Sequence, residues 1–224
     1  MDFEIDILFN MLLCVGALFG FIYSLVVFFK PKTALYKKMV GCALGCMFIE
    51  RLYGIVQFLI VGDVPHGFLV GTFGTIGCYL FLFAANYGAM DSLVDDGSPE
   101  LKKHRLIAVI APVIAVASAI VMLTMVTSTG RKITCAIEEL FVGAAAYYSL
   151  KHLLIPKKYS DFLSGLKPFH VLTLIMAAGT TFENIIWCEM VENEAIWCIP
   201  YTMLLVSMVA LAPVLKRGTK KWRT

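Results

Sequence analysis

The chain alternates long apolar runs with short polar interruptions, and the length of the runs sets the fold. They fall at residues 7–29, 39–61, 66–90, 106–126, 133–154, 168–188 and 197–215. A helix rises about 1.5 Å per residue and a bilayer core is about 30 Å thick, so roughly 20 apolar residues cross it once. Each run is about that long. Lipid offers no water to backbone amides, so a spanning run of this kind satisfies its own hydrogen bonds as a helix. The pattern predicts an all-α, polytopic membrane protein with seven transmembrane helices, one domain over residues 1–224, lying in the cell membrane.

Composition agrees. With 59% hydrophobic and 16% charged residues and a mean hydropathy of +0.81, the chain is too apolar for an ordinary soluble domain. The acidic start, Met1-Asp-Phe-Glu-Ile-Asp6, leads into the first run with no small-residue cleavage pattern, so the first helix is expected to be retained. The longest connection, residues 91–105, reads as a polar loop in which Ser98-Pro-Glu starts a helix. Seven cysteines form no CxxC pair and no Cys/His ladder, and no cofactor or metal is predicted. Cys188 and Cys198 bracket the last connection and could form a disulfide, with Cys135 as a competing partner.

The lysines and arginines set the orientation. Lys30, Lys32, Lys37 and Lys38, then Lys102, Lys103 and Arg105, then Lys151, Lys157, Lys158 and Lys167, and finally Lys216, Arg217, Lys220, Lys221 and Arg223 all fall on one side. Only Arg131 and Lys132 lie on the other, and Arg51 is inside a run. Cytoplasmic loops retain the basic residues, so the N-terminus is predicted outside and the C-terminus in the cytoplasm. Because the basic residues are dispersed as topology demands, no nucleic-acid partner is expected; the bilayer itself is the expected partner.

Two segments suggest an internal duplication. Tyr23-Ser24-Leu25-x5-Pro31-Lys32 near the end of the first run matches Tyr148-Ser149-Leu150-x5-Pro156-Lys157 near the end of the fifth. Gly45-x-x-Phe48-x4-Tyr53 in the second run aligns with Gly179-x-x-Phe182-x4-Trp187 in the sixth, with Glu50 and Glu183 inside the respective copies. A duplication would give a 3+1+3 parallel repeat: residues 7–90 and 133–215, joined by a nearly featureless helix at 106–126.

Charges within the runs mark the interior. A carboxylate or guanidinium at bilayer depth costs about 2.5–3.5 kcal/mol on insertion scales, so it faces protein or water. At helical pitch Glu50, Tyr53 and Gln57 share one face, and Arg51, about 100° away, needs its own partner. The fifth run adds Glu138 and Glu139, of which one or both face the interior; the sixth adds Glu183 and Asn184. In the sixth, His170, Thr173, Ala177, Thr180, Asn184 and Trp187 form one stripe, and Thr72, Thr75, Tyr79 and Asn86 form another in the third. Four glutamates against one arginine leave an excess of three negative charges, which calls for a bound proton, a cation or an amine. The expected ligand-binding set is Glu50, Arg51, Tyr53, Gln57, Tyr79, Asn86, Glu139, Thr180, Glu183, Asn184 and Trp187.

Seven spans with an external N-terminus resemble, in architecture, the SWEET-like carriers, nicotinamide-riboside-type carriers and microbial rhodopsins. The chain has no Pro-Gln dipeptide and no lysine within the seventh run, so no site residue carries over. The leading functional expectation is a carrier or facilitator for a small polar, cationic solute, with protons or cations as coupling partners. The alternative is a sensory or receptor-like bundle that binds a ligand in an outward-facing cavity and signals through a partner. An enzyme is the weakest class: the four histidines do not converge by sequence spacing, and no nucleophile has an adjacent base.

Overall fold

The computed structural model describes residues 3–61, 70–91, 95, 97–126, 128–156, 161–187 and 194–220, and among these every regular element is helical. Helix α1 (Phe3–Phe28) leads through Pro31 and a left-handed Lys32 (φ 65°) into α2 (Leu35–Val61). Proline disfavours helix in the residue before it, and a positive φ reverses the chain sharply. Helix α3 (Thr72–Ala84) continues without a break into a π-helical segment, Ala85–Met90. A 3-10 turn, Pro99–Leu101, opens α4 (Lys102–Ala108). Its proline stands first, where a missing N–H costs nothing. Helix α5 (Ile110–Met125) follows after a step at Val109, then α6 (Thr129–Leu154), α7 (Asp161–Trp187) and α8 (Glu194–Lys220).

Helices α1, α2, α3, α6, α7 and α8 close a ring in which each packs on the next and α8 returns to α1. Helices α4 and α5 lie outside it, mainly against α6. Leu44, Met47, Leu82, Met176, Leu204 and Met208 fill the middle of the ring. The outward faces carry Val15, Ile49, Leu59, Ile60, Leu106, Val113 and Ile114, all exposed. Such a surface is stable only against lipid. Gly74 sets the spacing of α2 and α3, since a Cβ there would lie 2.5 Å from the Cβ of Glu50.

Among the described residues, six helical stretches are long and apolar enough to cross a membrane. The expected third span, 66–90, divides differently: residues 66–69 lie outside the described residues, and the remainder is the short α3 with its π-helical continuation. The expected fourth span is two helices stepped at Val109. The protein is thus an all-α, multi-pass membrane protein with six to seven long apolar helices. Cys198 is exposed, whereas Cys188, its expected disulfide partner, lies outside the described residues.

Candidate functional site

The ring brings the charges of α2 and α7 together at the lysine-poor end. Arg51 is buried and holds Glu183 through two parallel contacts, Nη1 to Oε1 at 2.5 Å and Nη2 to Oε2 at 2.6 Å. A planar guanidinium meeting a carboxylate fork to fork fixes both side chains. Its Nε lies 2.8 Å from Oε2 of Glu50, and Nη1 reaches Oδ1 of Asn10 on α1 at 3.4 Å. The arginine side chain therefore turns back to its own neighbour as well as across the bundle.

Around this centre is a cavity of about 80 Å3, bordered by Asn10, Glu50, Arg51, Tyr53, Gln57, Thr72, Thr75, Cys135, Glu138, Glu183 and Asn184. A space of this size holds ordered water or a solute of a few heavy atoms. Three carboxylates, Glu50, Glu138 and Glu183, line it against one guanidinium. The adjacent glutamates on α6 are both buried. Glu138 borders the cavity, whereas Glu139 accepts hydrogen bonds from Thr181 Oγ1 (2.9 Å) and Asn184 Nδ2 (3.0 Å) on α7.

The other residues singled out in the sequence are distributed along the bundle. Tyr79 and Thr180 pair at 2.7 Å beneath the cavity, with the Tyr79 hydroxyl also 3.0 Å from the Met176 carbonyl. Asn86 is fully buried further toward the lysine-rich end, donating from Nδ2 to the Leu82 carbonyl at 2.9 Å. Trp187 is the last residue of α7, and its side chain lies outside the described residues. Asn10, Gly54, Phe58, Gly71, Thr72, Thr75, Cys135 and Glu138 line the cavity beyond the expected set. The signal for Asn10 was its amide within an otherwise apolar run.

A second polar centre lies at the lysine-rich end. Lys151 on α6 forms ion pairs with Asp91, just past the π-helical segment, and with Asp95 at 3.2 Å. Arg105 on α4 reaches Asp95 at 2.8 Å. His152 Nε2 lies 3.0 Å from Asp91 Oδ1, and its ring centroid is 4.9 Å from that of His170 on α7. Two of the four histidines therefore meet, contrary to the sequence expectation. His152 lies two residues before the end of α6 and His170 nine residues into α7, and spacing within one helix carries no information about height on its neighbour. Neither ring nitrogen of His170 has a partner among the described residues. Burial pushes the Asp91 carboxyl upward, but hydrogen bonds from His152 and Lys151, with the Lys151 charge, hold it below the usual carboxylate range.

Fold and site together define a multi-pass, membrane-embedded α-helical protein whose interior holds a buried network of salt bridges and hydrogen bonds. Compared with protein-family models, with curated proteins and with solved structures, the chain matches none of them.

Proposed function

We propose that the protein is a membrane carrier or facilitator for a small polar cation. The observation that carries this reading is the unbalanced cavity: three carboxylates from α2, α6 and α7 surround space for a few heavy atoms, and Arg51 offsets only one of them. Two negative charges remain, and a compact amine or a cation, or protons in its absence, offsets them. In this reading Glu50, Glu138 and Glu183 bind the solute. Arg51 holds Glu50 and Glu183 in place, and Tyr53, Gln57 and Asn184 complete its coordination. Glu139 braces α7, and Tyr79, Thr180 and Asn86 mark the route onward.

The same reading takes the lysine-rich end as cytoplasmic and the N-terminus as external, so the cavity opens outward. The cluster of Asp91, Asp95, Lys151 and His152 is then the closed inner gate. The order of helices around the ring supports the repeat. A twofold relation between residues 7–90 and 133–215 exchanges the α1–α8 contact with the α6–α3 contact and leaves α4 and α5 outside as a connector.

One observation favours the sensory alternative: every residue lining the cavity belongs to one half of the bundle, and buried Met47, Leu82 and Met176 lie in the ring beyond it. A receptor needs access from one side only. Uptake of methylammonium and guanidinium into proteoliposomes, with and without a pH gradient, separates the two. The carrier reading expects flux in the parent and at least a tenfold loss, about 1.4 kcal/mol, in both Glu50→Gln and Glu183→Gln. Saturable binding with no flux in the parent transfers the assignment to a receptor.

A further inference from the structure

The Tyr-Ser-Leu-x5-Pro-Lys segment occurs twice, and its two copies meet different charges. In the second copy, Lys151 sits 4.9 Å from the centroid of the Tyr148 ring and is neutralised by Asp91 and Asp95. In the first, Lys216 at the end of α8 sits 5.6 Å from the centroid of Tyr23, and no carboxylate among the described residues pairs with it. Lys216 instead borders a cavity of about 310 Å3 between the α1–α2 turn and the end of α8. Lys30 and Lys37 are in the same wall, Lys37 Nζ 5.8 Å from the centroid of Tyr36, and the described residues that border the space include no acidic one.

The surroundings indicate what kind of anion fits. The helix ends beside the cavity expose Val26, Phe29 and Leu35, a wall suited to an acyl chain. The turn that carries Lys30 is set by Pro31 and by Lys32 in the left-handed region, so its lysine is presented by a constrained loop. Ammonium groups braced on aromatic faces lose less freedom on meeting a phosphate than unrestrained lysines do.

We propose that this cavity binds the phosphate headgroup of an anionic phospholipid, with Lys30, Lys37 and Lys216 contacting the phosphate and the chains lying along Val26 and Phe29. Basic pockets between helix ends suit such headgroups, with each lysine contributing roughly fivefold in affinity. The site is independent of the solute cavity, which lies at the opposite end of the bundle.

The test uses the full-length protein in neutral detergent, titrated with phosphatidylglycerol, phosphatidylcholine or inorganic phosphate, and read by thermal stability and by native mass spectrometry. Phosphatidylglycerol should raise the unfolding temperature and remain bound, while phosphatidylcholine does neither. Lys37→Gln with Lys216→Gln should weaken phosphatidylglycerol binding about thirtyfold, and Lys37→Arg with Lys216→Arg should preserve it. Lys102→Gln with Lys103→Gln removes the same charge from exposed positions at the same end and should leave binding within about twofold of the parent. An equal loss in that control, equal binding of the two lipids, or an equal response to inorganic phosphate would overturn the assignment.

Discussion

The two polar centres of this bundle use similar residues for opposite ends. At the lysine-rich end Asp91 and Asp95 face Lys151 and Arg105, so these charges balance and each of the two carboxylates has a cationic partner. At the other end Glu50, Glu138 and Glu183 border open space with one guanidinium, that of Arg51, among the described lining residues. A balanced buried cluster stabilises a contact between helices; an unbalanced one with room beside it is a place where something positive can bind. The difference separates a latch from a site, and it can be broken experimentally.

The largest effect is expected at Arg51. Arg51→Met leaves two carboxylates without their cation and should cost about 3–5 kcal/mol of stability. Adding Glu183→Leu should recover part of that loss, because an apolar pair replaces the Arg51–Glu183 ion pair while Glu50 still lacks its cation. Denaturant unfolding in detergent reads both, and a single variant as stable as the parent would remove the central role of this pair.

Opposite signs are expected when one acid is neutralised at each end. Glu138→Gln lowers the charge excess and should stabilise the protein by about 1 kcal/mol at pH 8. Asp95→Asn strips a partner from both Lys151 and Arg105 and should cost about 1–2 kcal/mol. Matching signs in thermal unfolding would mean that the two centres do not differ as described.

The smallest effect concerns acid. The Asp91 carboxyl is held below its ordinary range in the folded protein, so its contribution is present above the unfolded value of about 3.9 and lost as pH falls through and below it. With Asp91 partly exposed, the change should stay under about 1 kcal/mol. Unfolding measured from pH 6 to pH 3 should show a steeper loss in the parent than in Asp91→Asn.

Much of this was legible from the residues alone. Long apolar runs announce membrane helices because backbone amides in lipid have no alternative. Charges within such runs, Glu50, Arg51 and Glu183, are costly enough to be drawn together, which is why their meeting could be anticipated. What periodicity cannot supply is the height of one helix relative to the next. That information brings His152 against His170, sets Glu138 rather than Glu139 on the cavity, and adds Asn10 from α1. The π-helical segment was equally hidden, since the single glycine of Ala-Asn-Tyr-Gly-Ala-Met does not distinguish a π turn from an α-helix.

That segment governs where α3 points its last acid. The Asp91 N–H bonds the Asn86 carbonyl, five residues back, so the winding there accommodates one residue more than an α turn would. Each residue advances an α-helix by about 100°. Asp91 consequently emerges about a quarter-turn away from the bearing an uninterrupted helix would give it, and the latch at that end owes its alignment to a single widened coil in the backbone above.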